Sequence, residues 1–141
     1  MSRSKANHLS DGDVSHIEPS KLNFDLANPR FVDEQFSDET EVIRYLYEQM
    51  DVDELIQSIL SAGYLDYEPI IVQRSDNVVL EGNRRLAALR LISDQALRDA
   101  LEISLPAIPA PKTLPDRVRV SWVADRKEAR DFIGFKHING P

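Results

Sequence analysis

The sequence contains no cysteine, which excludes disulfide bonds, thiolate metal sites and cysteine nucleophiles. It has no run of about 18 or more apolar residues, so we expect no membrane-spanning helix and no membrane partner. Residues 1–13 are polar and lack the apolar stretch of a signal peptide. Together with the lack of cysteine, this favours a cytoplasmic protein.

A general excess of basic charge is also missing, because the net charge is −7. This argues against a surface built as a whole for nucleic acid. The charge is uneven, however. Residues 33–54 hold nine acids and one arginine, a net −8, whereas residues 73–90 carry +2 and residues 112–136 carry +3. We interpret the acidic segment as a solvated helical face, and the positive charge lies on and after the centre of the chain.

The length of 141 residues and a hydrophobic fraction of 42% are typical of one domain with a real core. Residues 1–13 have no periodicity, and we expect a disordered N-terminal tail there. The domain then takes residues 14–141. The final Gly140-Pro141 is a turn signal, and from it we expect the domain to be truncated at its C-terminus.

Alternation and helical spacing predict a small mixed sheet with three to four helices, an α/β (α+β) fold. Asp38 is expected to cap the first helix, and Asp51 the second, with Glu54 completing a capping box. Prolines restrict residues 103–112 to a loop or an edge strand. The predicted strands are around 15–17, 69–73, 78–81 and 117–124, and the predicted helices are 39–50, 51–62, 83 to about 97, and about 125–132.

The central stretch Asn77–Ile92 is predicted to pass from a strand through Gly82 into a helix. Such a turn directs backbone N–H groups at one point, and Arg84 and Arg85 beside it would attract a phosphate or another anion. An ordinary turn with solvated arginines explains the same spacing equally well. The two arginines lie on neighbouring stripes of the helix, so we expect them to point in different directions and one to be structural.

The segment Leu80–Leu91, L-E-G-N-R-R-L-A-A-L-R-L, resembles the G-x-R-R box of the N-terminal domain of ParB chromosome-partitioning proteins. It is also similar to the corresponding G-x-H-R loop of sulfiredoxin and to loops in free-serine kinases of that fold. Asn28-Pro29-Arg30 resembles the upstream x-P-R element of the family. The predicted order of helix, strand, turn and strand before the box agrees with the family layout. The resemblance covers roughly residues 17–139 and implies a ParB/sulfiredoxin-like fold.

The resemblance also implies a ligand, which is a nucleotide such as CTP or ATP together with Mg²⁺. Sulfiredoxin chemistry is excluded, because its cysteine position falls on Asn83. A second family element, E-N-x-x-R, matches residues 135–139 only in part. The implied phosphate and nucleotide site consists of Gly82, Asn83, Arg84 and Arg85, with Asn28 and Arg30 on the base or ribose side and His137 and Asn139 from the second element.

Glu81 is the carboxylate nearest to the box and aligns with the acid of D-G-x-x-R relatives. It could bind Mg²⁺ or act as a base, and Asn139 is the other residue considered for the metal. A salt bridge between Glu81 and Arg84 or Arg85 is an equally good interpretation. Asn83 stands where the box usually has an acid.

Three functions remain open. The first is a nucleotide-binding switch or DNA-associated module that pairs with another copy as a homodimer and reaches DNA through a region outside this chain. The second is an enzyme, either an NTPase or nuclease or a small-molecule phosphotransferase, with Glu81 as the catalytic base. The third is a non-catalytic interaction domain in which the box is only scaffolding.

Overall fold

A computed structural model of the protein describes residues 14–28, 31 and 35–139, with only the backbone for 134–139. The expected disordered tail, Pro29 and Arg30 therefore lie outside the described residues. The fold is mixed α+β, as predicted. Its strands are β1 (Val14–Ile17), β2 (Ile70–Gln73), β3 (Val78–Glu81) and β4 (Val118–Val123). Its α-helices are α1 (Glu39–Gln49), α2 (Val52–Ala62), α3 (Asn83–Ser93), α4 (Gln95–Leu101) and α5 (Arg126–Asn139), and a 3-10 turn spans Pro19–Lys21.

The strands form one four-stranded sheet in the order β1-β4-β2-β3. Strands β2 and β3 form the predicted hairpin, whose turn places Asn77 at a φ of 60°, a left-handed conformation that asparagine tolerates. The chain then crosses through α3 and α4 and returns as β4, which pairs parallel to β2 with Val72 opposite Trp122. The residues from 103 to 112 form a loop, one of the two predicted alternatives.

The sheet is the middle layer of the domain, because alternate side chains enter two separate apolar clusters. Ile70 and Val72 face the main core beneath α1–α4, whereas Ile71 faces the opposite side. There it meets Leu80 and Val123 under α5. Burying one such side chain contributes about 1.5–3 kcal/mol, so this alternation fixes which face each helix covers.

The single helix predicted for residues 83 to about 97 is wrong, because two helices occupy this region. Asp94 separates the two helices because its backbone is extended, and its side chain accepts the backbone N–H of Leu97 to cap α4. Arg98 donates to the carbonyls of Leu91 and Ile92 and so satisfies the end of α3. The apolar spacing continues across the break, and for this reason periodicity alone predicted one helix.

Asp38 caps α1 as predicted, because its side chain accepts the N–H of Glu41. Two other helix ends differ from the prediction. Asp51 precedes α2 but has a left-handed φ of 58° and no side-chain capping bond, so the predicted capping box with Glu54 is wrong. Helix α5 continues to Asn139 instead of ending near residue 132. One glycine costs a helix only about 1 kcal/mol, which explains why Gly134 does not stop it.

The segment before α1 is positioned by the free edge of β3. Asn23 forms an isolated parallel bridge with Val78, and the Val79 N–H donates to the Asn23 carbonyl at 2.8 Å. This bridge brings the following loop, from Asp25 to Asn28, to the end of β3 where Gly82 turns the chain. Among the described residues, no helix is long and apolar enough to cross a bilayer.

Candidate functional site

A cleft of about 310 Å³ lies where β3 turns into α3. Its volume is at the lower end of the range for small-molecule sites. The cleft has a polar side, formed by the turn and the first residues of α3, and an apolar floor from α1, α2 and β3. Its described lining residues are Asn28, Phe31, Leu46, Met50, Leu55, Leu80, Glu81, Gly82, Asn83, Arg84 and Arg85.

Gly82 makes the turn possible. Its φ of 113° lies in a region that residues with a side chain rarely adopt. A Cβ here would also lie 3.1 Å from a side-chain carbon of Ile70 and 3.2 Å from the Arg85 guanidinium. No side chain caps α3 at Gly82, and the first residues of the helix line the cleft. The first N–H groups of a helix have no partner within the helix, and such a terminus suits an anion.

Arg84 extends from α3 to the corner between α1 and α2. Its Nε donates to the Met50 carbonyl at 2.6 Å, and its Nη2 donates to the Asp51 carbonyl at 3.3 Å. The Met50 carbonyl lies at the C-terminal end of α1, where a cation is favoured by the helix dipole, and the Asp51 carbonyl lies at the start of α2. Arg84 is therefore held in place while it lines the cleft.

Arg85 extends in another direction, to the loop before β2. Its Nη1 donates to the Glu68 carbonyl at 2.6 Å and its Nη2 to the Pro69 carbonyl at 3.4 Å. The two arginines thus diverge, as the helical spacing predicted. Both arginines have structural contacts, whereas we expected such contacts for only one of them. A guanidinium has five N–H groups, and the bonds described here use two on each arginine.

The Tyr64 hydroxyl lies behind Arg85. This oxygen is buried and makes no hydrogen bond of good geometry with a described residue. Burial raises the pKa of Tyr64 above its usual 10.0, and Arg85 opposes the rise, first through its positive charge and then through a weak hydrogen bond, without cancelling it. The guanidinium is thus near Tyr64, while its N–H groups are directed at the loop carbonyls.

Asn83 is buried and joins α3 to two neighbouring segments by hydrogen bonds, and its amide offers a ligand no acid group. Its Oδ1 accepts the Asp25 backbone N–H at 3.3 Å, and its Nδ2 donates to the Val79 carbonyl at 2.9 Å. Asp25 in turn binds Arg126 of α5 through two bonds of 2.6 Å. This hydrogen bond raises the pKa of Arg126. The first residue of α3, the loop from Asp25 to Asn28 and the start of α5 therefore form one hydrogen-bonded unit.

The structure brings most of the predicted site together. Glu81, Gly82, Asn83, Arg84, Arg85 and Asn28 all line the same cleft. Arg30 lies outside the described residues. His137 and Asn139 belong to the last turns of α5, and their side chains also lie outside the described part of the chain.

Sequence reasoning missed the apolar floor and the charged pair below the loop. Leu46, Met50 and Leu55 lie in the predicted helices 39–50 and 51–62, and nothing in their spacing shows that a cleft opens beside them. Asp25 did carry a signal. It is an acid within the apolar stretch Leu22 to Leu26, and a buried carboxylate needs a partner such as Arg126.

Among the described residues, the cleft thus combines a helix N-terminus, two fixed arginines, one carboxylate and an apolar floor. This arrangement suits a ligand with an anionic end and an apolar or aromatic part. Comparison of the chain with protein-family models, with curated proteins and with solved structures found no match. The resemblance to ParB domains therefore depends on the residues and the element order given above.

Proposed function

We propose that this chain is a nucleotide-binding domain that works as a switch or DNA-associated module. The phosphates of CTP or ATP would bind at the N-terminus of α3, against Gly82, Arg84 and Arg85. The base or ribose would lie toward Asn28 and the apolar floor that contains Phe31 and Met50. The proposal includes a homodimer, and DNA as a partner reached through a region outside this chain.

The observation that carries the proposal is the shared cleft. The turn around Gly82 and the loop at Asn28 are more than fifty residues apart in the sequence, and both line it. The N–H groups of the first helical turn and the two guanidinium groups are the donors that phosphate oxygens prefer. The apolar floor favours a nucleotide over inorganic phosphate, because phosphate alone would leave that surface without a partner.

Glu81 fits the implied metal. Mg²⁺ on a nucleotide is usually held by phosphate oxygens with one or two protein carboxylates, and Glu81 is the carboxylate among the described lining residues. The described residues contain no group of three His, Cys, Asp or Glu side chains able to hold a metal. The ion would therefore arrive with the nucleotide, and it would screen the charge between Glu81 and the phosphates.

A second candidate function is the non-catalytic interaction domain. It is favoured by the contacts of Arg84 and Arg85, since each guanidinium already binds two backbone carbonyls. In that case the arginines would only join α3 to its neighbours. The two functions differ in one measurable property, which is affinity for a nucleotide.

Isothermal titration of the chain with CTP, ATP, GTP and UTP in Mg²⁺ tests the proposal. We expect saturable heat with at least one nucleotide, and much weaker binding of pyrophosphate. Arg84→Ala should reduce the affinity about tenfold or more, since a charge-assisted contact contributes about 1.5–3 kcal/mol. The matched control is Arg44→Ala, an exposed arginine of α1 outside the cleft lining, which should leave affinity unchanged.

Absence of heat with all four nucleotides would reject the proposal in favour of the interaction domain. Equal loss of affinity in Arg44→Ala and Arg84→Ala would point to a general charge effect and would also count against the cleft. The thermal midpoint of each variant, measured alongside, separates lost binding from lost folding.

A further inference from the structure

The loop between α2 and β2 displays two large apolar side chains to solvent. Leu65 is 49% exposed and Tyr67 is 81% exposed. Acidic Asp66 and Glu68 alternate with them along the chain. We call residues 64–69 the display loop.

Two arginines hold the display loop by its backbone carbonyls. Arg119 of β4 donates to the carbonyls of Asp66 and Tyr67, each at 3.2 Å, and its Nε lies 3.5 Å from the Asp66 carboxylate. Arg85 of α3 donates to the carbonyls of Glu68 and Pro69. The conformation of the loop thus depends on guanidinium groups from two different elements.

Arg85 is shared between the display loop and the cleft. It lines the cleft, and its Nη2 lies 3.2 Å from the position that a Cβ on Gly82 would take. The guanidinium therefore lies at the turn where α3 begins. Arg119 is not among the lining residues of the cleft. A ligand in the cleft would reach one of the two holding groups and leave the other in place.

We propose that the cleft controls the display loop through Arg85. This inference depends on the proposed function, because it requires an anionic ligand in the cleft. A phosphate oxygen carries negative charge whereas a backbone carbonyl is neutral, so a guanidinium binds the phosphate more strongly. A bound phosphate therefore draws Arg85 away from Glu68 and Pro69, and the display loop, then held by Arg119 alone, becomes more mobile.

The coupling is reciprocal. A ligand shifts an equilibrium only by its difference in affinity for the two states. If nucleotide favours the loop that Arg85 has released, a partner that binds Leu65 and Tyr67 in that state must raise nucleotide affinity by the same factor. Such a partner would need an apolar surface for these two exposed side chains.

A spin label tests the coupling directly, because the chain has no cysteine of its own. Tyr67→Cys places a nitroxide on the display loop, and Lys127→Cys places a control label on α5, where the lysine side chain is 76% exposed. We expect Mg²⁺–CTP or Mg²⁺–ATP at saturation to increase nitroxide mobility at position 67 and to leave position 127 unchanged. Arg85→Ala should make position 67 mobile without nucleotide, with no further change when it is added.

The outcomes separate the two proposals. Calorimetric binding with an unchanged spectrum at position 67, or an equal change at both labels, overturns the coupling and leaves the nucleotide site standing. Absence of binding overturns both. If Arg85→Ala fails to fold, Arg85→Lys replaces it, because a lysine keeps the charge but cannot hold two carbonyls in fixed geometry. A nitroxide at position 67 that is as immobile in Arg85→Lys as in the parent protein would also overturn the coupling.

Discussion

Asp25 and Arg126 are 101 residues apart in the sequence, and two hydrogen bonds of 2.6 Å join their side chains. The Asp25 side chain is 2% exposed and that of Arg126 is 37% exposed. The carboxylate is therefore buried, and its partner comes from the edge of the domain. This pair attaches the start of α5 to the loop that ends at the cleft.

Arg126→Ala should destabilise the domain by roughly 2 kcal/mol, because it leaves a buried carboxylate without its charged partner. The estimate is below the ~3–5 kcal/mol of fully buried pairs, since water already reaches Arg126. Urea unfolding followed by circular dichroism measures the change. In a second variant, Asp25→Asn combined with Arg126→Ala should recover part of the loss. Equal stability of Arg126→Ala and the parent would contradict a structural role for the pair.

Gly82→Ala should lower the free energy of unfolding by roughly 3 kcal/mol and abolish nucleotide binding. The cost combines a left-handed φ with a contact against Ile70. Gly63→Ala is the matched control. Gly63 also has a positive φ, but its nearest neighbour for a Cβ is Lys112 at 4.0 Å. It should cost roughly 1–2 kcal/mol by strain alone and leave binding intact. Loss of nucleotide binding in both variants would show that backbone strain in general, and not the geometry of the turn at Gly82, causes the loss.

Tyr64→Phe should change stability by less than about 1 kcal/mol near neutral pH, because the buried hydroxyl it removes makes no hydrogen bond of good geometry among the described residues. The pKa of Tyr64 is raised in the folded state, so the unfolded chain loses this proton first as the pH rises. Stability should therefore fall above about pH 10, and part of that fall should disappear in Tyr64→Phe.

This prediction is tested by urea unfolding at a series of pH values from about 8 upward, in steps of about one pH unit. Tyr67→Phe is the control, because the Tyr67 ring is exposed in the folded state as in the unfolded chain. An identical pH profile for Tyr64→Phe and the parent would contradict the raised pKa.

Glu81→Gln should have opposite effects on nucleotide affinity with and without metal. In Mg²⁺ the carboxylate assists the ion on the phosphates, so its loss weakens binding. In EDTA the same carboxylate repels the phosphates, so its loss strengthens binding. A charge interaction of about 1 kcal/mol corresponds to roughly a fivefold change in each direction.

Titration calorimetry of parent and Glu81→Gln in both buffers measures this crossover. A change of the same sign in Mg²⁺ and in EDTA would remove Glu81 from the metal. If the chain hydrolyses nucleotide, the same variant tests the catalytic role, since Glu81→Gln should then bind without turnover.

Local chemistry allowed much of the fold to be predicted. The β-branched run Ile70–Val72 and the alternation in Val118–Val123 identified strands, and the acceptor side chain of Asp38 identified a helix start. Gly82 was identified as a turn because only a strand before it and a helix after it fit the spacing. The break at Asp94 was missed because an N-cap inside a continuing apolar pattern has no effect on periodicity.

The site was predictable in part, for a related reason. Neighbours in sequence, from Glu81 to Arg85, remain neighbours at a turn, so their shared location followed from the chain itself. The carbonyls that hold Arg84 and Arg85 come from Met50 and Glu68, and any residue has a carbonyl. A contact with a backbone carbonyl does not depend on the type of residue, so the sequence could not show which residues these guanidinium groups bind.

The pairing of β1 with β4 has a consequence for how the chain folds. Ser15 and Trp122 lie on neighbouring strands and form a side-chain hydrogen bond, yet they are 107 residues apart. During synthesis the first strand must wait without its partner until β4 has left the ribosome. Contacts this distant slow folding, because a long loop has to close before they form. Moving Val14–Ile17 to a position after β4 by circular permutation should therefore speed folding.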